Sequence, residues 1–402
     1  MENKKQLFTN LAAIYSSIFL SSIPFGMIAV LVAVKMDRFV GNANLISLSS
    51  AIQICAGIVF SKYLPRIAKK FGIIKTIQIS TITAALMALL LYQYFGYFIW
   101  LLTIFIFGTA LFAFSIIRQS ITLDISPPHH KAIIVSLGGM LMSFGNALGP
   151  ILLKFIGTET FLPHIIAAIF YLVSMLPMLL FKNANSIVRE DKKIGIWRYM
   201  KISPKIMLGG FTFNYVQSSI STFLIIYGIR SGMAVGQASL LFSVLLFGTI
   251  FSIPMGYFTD LINRRFLILV STILSLICAI LLFFVHDAAT MAILLFLLFG
   301  FMIGIKLPAL ILINEKYKPT QRLAVNSAFA KICLIGNLFG IFTTGAIMDL
   351  LGAKGLWVSV IAMLFLYLTI SLLNYWHKFF NKSPLIGKIF LKSNINFQNQ
   401  KI

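Results

Sequence analysis

FIWLLTIFIFGTALFAFSIIRQSITL, residues 98–123, runs for twenty-six residues with a single charge, Arg118. A helix crosses the hydrocarbon of a bilayer in about 20 consecutive apolar residues. Twelve runs of this kind follow one another along the chain: Phe8–Val34, Leu45–Ser61, Ile73–Tyr94, Phe98–Leu123, Ala132–Phe155, Leu162–Phe181, Ile206–Ile229, Ala238–Phe258, Phe266–Val285, Ala289–Ile313, Leu323–Met348 and Leu356–Trp376. All are expected to be helices. An unclosed sheet leaves backbone groups unsatisfied in lipid, and the alternating pattern of a β-barrel is absent.

The whole 402-residue chain has the same character, 59% hydrophobic and 11% charged, with 38 Phe and a mean hydropathy of +0.96. Soluble domains carry roughly 25% charge. So few charges cannot cover a water-facing surface, which excludes a string of soluble domains, a disordered chain and a collagen-like one. Lys and Arg number 33 against 10 Asp and Glu, a net charge of +23. In a soluble chain that excess points to nucleic acid. Here the basic residues sit in short loops without interleaved aromatics, so their role is orientation in the membrane and nucleic-acid binding is not expected. With the N-terminus in the cytoplasm, 25 of them fall on inner segments and 5 in outer loops. Both termini are then cytoplasmic and the number of spans is even. The opening MENKKQLFTN leads into an apolar stretch too long for a signal-peptide core, with no small-residue cleavage site after it, and reads as a retained first helix. No transit peptide or long glycosylated loop appears, which points to a prokaryotic inner (plasma) membrane.

Cys55, Cys278 and Cys333 all lie inside apolar runs with no metal-ligand spacing, so neither a disulfide framework nor a metal site is expected. His129 and His130, neighbours on one turn, do not make a ligand set. No HExxH, phosphate-cradling loop or nucleophile elbow is present, so the chain is not expected to be an enzyme or to need a cofactor.

The longest inner loop separates two sets of six runs. An offset of 191 residues aligns them without gaps from about residue 45 to 157. It pairs Gly57 with Gly248, Asp124 with Glu315, Pro128 with Pro319 and Lys131 with Arg322. It also pairs Gly145, Asn146 and Gly149 with Gly336, Asn337 and Gly340. Prolines, loop charges and packing glycines punctuate structure for different physical reasons, so their agreement at one offset outweighs raw identity. The expected architecture is all-α, with a six-helix bundle over 1–181, a linker over 182–205, a second bundle over 206–376 and a tail over 377–402. Trp197 in the basic linker suggests a short helix on the inner leaflet. Parallel repeats of this kind place a solute site between the halves near the midplane.

These features resemble the major facilitator superfamily. GYFTDLINRR, residues 256–265, is similar to the family's G-x-x-x-D-x-x-G-R-R loop after the eighth helix, which comprises Gly256, Asp260, Asn263, Arg264 and Arg265 here. Asn263 stands in place of the usual Gly, and Asn tolerates positive φ better than most residues. The resemblance implies a cytoplasmic charge lock between the halves; ordinary positive-inside charge also fits the loop. The matching loop, PRIAKKFG over 65–72, has Lys69 where the acid belongs. GNALGP, residues 145–150, looks like part of the family's antiporter motif. Small-xxx-small spacing, which lets helices approach closely in any membrane bundle, is the preferred reading, and Gly145, Gly149, Pro150, Gly336 and Gly340 are expected at contacts between the bundles. In the family, helices 1, 4, 7 and 10 line the cavity.

Polar stripes occur on three of those runs. Asn214, Gln217, Ser218 and Ser221 recur on one helical face, as do Ser115, Arg118, Gln119 and Thr122, while the first run offers Ser17, Ser21 and Pro24. They face either a solute cavity or other helices through hydrogen bonds. Arg118 and Lys306 are the sharper signal. A charge near the bilayer centre costs roughly 2.5–3.5 kcal/mol, and no Asp or Glu lies mid-run to offset it. They are expected to meet an anionic solute, with Lys331 assisting. Alternatively they snorkel to the inner surface, or reach Asp124, Asp260 or Glu315. The functional expectation is a monomeric secondary transporter of a small solute working by alternating access. A multidrug-type antiporter and a non-transporting receptor or scaffold of the same fold are the alternatives.

Overall fold

The computed structural model describes residues 2–61, 63–126, 131–179, 204–316 and 322–382. A few side chains at the inner helix ends, those of Asp124 and Asp260 among them, fall outside the description. So do nearly all of the linker with Trp197, the turn holding His129 and His130, and the tail beyond Lys382. Every regular element among the described residues is helical.

The first half consists of α1 (Glu2–Phe39), α2 (Ala43–Ser61), α3 (Ile73–Leu90), α4 (Tyr97–Ile125), α5 (Lys131–Ile156) and α6 (Leu162–Val173, resuming at Leu176–Leu179). The second half consists of α7 (Pro204–Arg230), α8 (Val235–Phe247, a 3-10 turn over Gly248–Phe251, then Ser252–Leu261), α9 (Arg264–Phe284), α10 (Ala288–Lys316), α11 (Arg322–Leu351) and α12 (Gly355–Lys382). Eleven of these contain a window apolar enough to cross a membrane. The twelfth, α7, has the length at 27 residues, but Asn214, Gln217, Ser218, Ser219 and Ser221 dilute its hydropathy. Neighbouring helices bury it instead, with Phe223 and Leu224 fully enclosed.

Two boundaries differ from the sequence expectation. α12 continues to Lys382, so the segment from 377 begins as helix rather than tail. The basic loop after α2 contains a short helix, Leu64–Phe71, with Pro65 in its first turn. Leu64 and Ala68 are buried while Lys69 and Lys70 are exposed, so one face docks on the bundle. Gly72 ends it at φ +84° and donates its N–H to Ala68 O at 3.0 Å.

Packing repeats with the sequence. In the first half α1 lies on α5, α2 and α3 lie on α4, and α3 lies on α6; in the second, α7 lies on α11, α8 and α9 lie on α10, and α9 lies on α12. The glycines of the two halves do the same work within each half, which corrects their expected place between the halves. A Cβ on Gly145 would stand 2.7 Å from Phe19 O, and one on Gly149 would overlap the backbone at Ile23. Pro150 packs beside Gly26, again on α1. In the second half a Cβ on Gly336 would stand 2.5 Å from Phe211 O, and one on Gly340 would overlap Tyr215 O. Without a hydrophobic drive between helices in lipid, close backbone approach supplies the van der Waals contact that holds them.

The halves meet through α2 with α11, α5 with α8, and α1 with α7. Among the described residues these contacts run from the middle of the bundle, where Phe144 and Phe247 meet edge to face at 5.5 Å, to the end bearing the α1–α2 turn. There Ser47 Oγ donates to Ile341 O at 3.0 Å. In the orientation expected from the loop charges, this closed end is the outer one.

Overfilling the glycine seams sets the first test. Gly145→Ala and Gly336→Ala each cost about 1–3 kcal/mol through backbone displacement and lower the Tm of purified protein. Gly256→Ala is accommodated, because its nearest neighbour is Leu307 Cδ2 at 3.9 Å; an equal loss at all three positions would contradict the seam.

Candidate functional site

Arg118 lies on α4 and is 6% exposed, so it does not snorkel. Its Nη1 donates to Ser17 O at 2.7 Å, Ser17 Oγ at 3.1 Å and Ser21 Oγ at 2.8 Å. The sequence placed Ser17, Ser21 and Arg118 in one cavity set, and the structure brings them together. The guanidinium carbon also sits 4.5 Å from the centroid of the Phe114 ring. Its Nε has no hydrogen-bond partner. Tyr171 of α6 packs on Phe114 and Phe107, and its fully buried hydroxyl is likewise without a partner. Tyr171 carries no signal in the sequence, since one Tyr in an apolar run looks like core.

Ser115 and Gln119, on the flank of α4 next to Arg118, are exposed. Thr122 is buried and returns its hydroxyl to Arg118 O at 2.7 Å. Lys306 of α10 is half-buried, with its ammonium 4.5 Å from the centroid of the buried Phe213 ring on α7. Under the 191-residue offset, Lys306 occupies the position of Ser115, one helical turn from Arg118. The two cations therefore sit at nearly equivalent depths in the two halves. Lys331 on α11 is exposed. Among the described residues the ion pairs are Arg38–Glu159, Arg230–Asp37 and Arg264–Glu315. None of them includes Arg118, Lys306 or Lys331.

The α7 stripe divides. Asn214 Nδ2 donates to Gly210 O at 2.8 Å, and Ser218 Oγ donates to Tyr215 O and to Asn337 O on α11 at 2.9 Å. These two follow the hydrogen-bonding reading. Gln217 and Ser221 stay half-buried on the same helix. Behind them lies a hydroxyl network that periodicity did not single out. It links Tyr215 to Ser359, and Thr344 to both Ser219 and Ser359, joining α7, α11 and α12.

The GYFTDLINRR loop also differs from expectation. Asn263 sits at φ −56°, not at positive φ. It works as a helix cap, its Oδ1 accepting from Arg265 N at 3.1 Å. Gly72, its repeat counterpart, takes the positive φ. Arg264 pairs with Glu315 on α10 and donates from Nε to Thr259 O at 3.3 Å. That pair ties the loop to its own half rather than across the halves. A cavity of about 340 Å³ lies beside it, lined by Thr259, Asn263, Arg264, Arg265, Ile262 and Leu312. The side chain of Asp260 is outside the described residues.

A family model described as the Major Facilitator Superfamily matches residues 14–333 and 232–389. No curated protein matches the sequence. Among solved structures, a bacterial homologue of the human lysosomal transporter Spinster, in an inward-facing and occupied conformation, superposes with a TM-score of 0.70 at 16% identity, covering 95% of this chain and 97% of that one. The nucleoside transporter NupG gives 0.74 at 14% identity, covering 92% and 98%. A POT family transporter in complex with a thioalcohol-conjugated peptide gives 0.73 at 12% identity, covering 93% and 96%. At these identities the likeness concerns the fold.

Stability separates the polar groups of the Arg118 cluster. The double variant Ser17→Ala, Ser21→Ala removes charge-assisted acceptors worth about 1.5–3 kcal/mol each, and a lowered Tm is expected. Tyr171→Phe removes only an unpartnered hydroxyl and leaves the Tm of the solute-free protein unchanged or slightly raised. A large drop for Tyr171→Phe in thermal unfolding would contradict this reading.

Proposed function

The chain belongs to the major facilitator superfamily and has its membrane-transporter fold, and we propose that it carries a small anionic solute between Arg118 and Lys306 by alternating access. One observation carries the choice of an anion. Two cations at matching depths in the two halves have aromatic rings, hydroxyls and a carbonyl around them, and no carboxylate partner among the described residues. A buried charge is stabilised by pairing, and leaving it unpaired is costly. A solute bearing negative charge supplies the pairing transiently. Ser115 and Gln119 beside Arg118, with Gln217 and Ser221 on α7, provide polar lining for the rest of the molecule.

In this reading the end joined by Ser47 and Ile341 is the outer one, and the protein is in an inward-open state. The protein works as a monomer in a prokaryotic plasma membrane with both termini in the cytoplasm. The loop charges support that orientation, with 25 basic residues on inner segments against 5 outside.

A thermal-shift screen of purified protein tests the solute class. Carboxylates and phosphates are expected to raise the Tm by mass action, while neutral sugars and hydrophobic cations leave it in place. Uptake of the best anion into proteoliposomes is then expected to fall at least about tenfold in Arg118→Gln and in Lys306→Gln, since a charge-assisted contact is worth about 1.5–3 kcal/mol and 1.4 kcal/mol is tenfold. Unchanged transport of that anion by both variants sinks the proposal.

A further inference from the structure

The turn between α1 and α2 receives two side chains from the second half. Arg230, at the end of α7, donates from Nε to Asp37 at 2.8 Å and from Nη2 to Gly41 O at 2.7 Å. Asp349, near the end of α11, accepts from Ala43 N at 2.7 Å, Asn44 N at 2.9 Å and Asn44 Nδ2 at 2.6 Å. The next N–H, of Leu45, goes to Asn42 Oδ1 at 3.1 Å. The first N–H groups of a helix have no partners inside it, and the helix dipole favours negative charge there. The end of α1 has the opposite need, carbonyls seeking donors and positive charge. The second half thus places an acid on the start of α2 and a base on the end of α1 and the turn after it, all within the stretch from Asp37 to Asn44.

The other cross-half contact at this end is built differently. The N-cap of α8, Ala234, provides no side-chain bond to the helix start. Its approach to α5 is more extensive than that of α2 to α11; it includes Gly236 beside the Lys154 chain and, deeper in the bundle, the Phe144–Phe247 ring contact, with no ion pair across it among the described residues. Glu159, the acid nearest in sequence to the end of α5, pairs with Arg38 in its own half.

We infer that Asp349 and Arg230 form a one-sided outer latch, in which Asp349 of one half serves as the helix cap of α2 in the other and must release it for the outer end to open. The α2 start then exchanges its protein cap for water, and the α5–α8 contact, which holds no ionic cap, parts without such a step. The two arms of the latch differ in kind. The Asp37–Arg230 pair is side chain to side chain, so reversing both charges can rebuild it. Asp349 binds backbone N–H groups, which no substitution on α2 can reverse. The inference rests on the alternating-access reading above, yet its measurement needs no solute, so it can fail while solute transport stands, or hold where the anion proposal fails.

The experiment uses full-length protein in nanodiscs with Cys55, Cys278 and Cys333 replaced by Ser. Spin labels go on Thr160→Cys in the α5–α6 turn and His286→Cys before α10, both exposed at the outer end and outside the latch. Pulsed dipolar distances report whether the halves are joined there. A predominant short distance is expected in the parent. Asp349→Ala and Arg230→Ala are each expected to move at least a third of the population to a longer distance. Asp37→Arg with Arg230→Asp should recover most of the short population relative to Arg230→Ala. Asp349→Lys should not be recovered by any acidic substitution at Asn44. Asp349→Asn, which keeps one acceptor oxygen, guards against a misfolded alanine variant and should fall between parent and Asp349→Ala. A distance distribution that is unchanged in Asp349→Asn and Arg230→Ala, in protein that stays monodisperse, overturns the latch. So does full recovery of Asp349→Lys by Asn44→Asp, which would make the contact an ordinary ion pair.

Discussion

Positive charge held inside a low-dielectric bundle, with its carboxylates kept to the ends, is the constraint around which the rest of the molecule is arranged. Burying a charge in an apolar medium is expensive unless hydrogen bonds and counter-charge offset the loss of water. Arg118 obtains part of that offset from Ser17 and Ser21 on α1 and from the Phe114 face. Lys306 obtains less, an aromatic face on α7 and partial exposure. Both solutions draw on a neighbouring helix. The position of α1 against α4, and of α7 against α10, therefore decides how well each cation is satisfied.

Those helix positions are in turn held by glycine. At Gly145 and Gly149 on α5, and at Gly336 and Gly340 on α11, one backbone rests almost directly on the next helix. A side chain at any of these positions would push α1 or α7 outward and withdraw the groups that solvate the cations. Each half is thus closely packed within itself. The contacts between halves are fewer, and among the described residues they include the Phe144–Phe247 rings mid-bundle and Ser47 with Ile341 toward the α1–α2 turn. A molecule stiff within its halves and less closely joined between them can change by rigid rocking, because packed cores resist continuous deformation.

The repeat is kept in helix packing and broken in chemistry. The same helix pairs pack in both halves, yet Lys306 stands where the first half has Ser115. Gly72 turns at positive φ where Asn263 caps a helix, and α2 is capped from across the interface while α8 is not.

Hydropathy was sufficient for the class and the helices, because lipid leaves the backbone no other partners and the spans are separated by polar turns. The α7 stripe was visible for the same reason, since several polar residues on one face of a membrane helix stand out against Leu and Phe. What each polar residue does was decided only in three dimensions. Ser218 turned out to bind Asn337 O on α11, Gln217 to remain at a half-open surface, Tyr171 to bury an unpartnered hydroxyl beside Phe114, and Asp349 to cap a helix three hundred residues away. Sequence periodicity reports the direction a side chain leaves its own helix. Whether it meets a hydroxyl, a ring, a backbone or water depends on which helix lies across from it, and that is a property of the packed bundle alone.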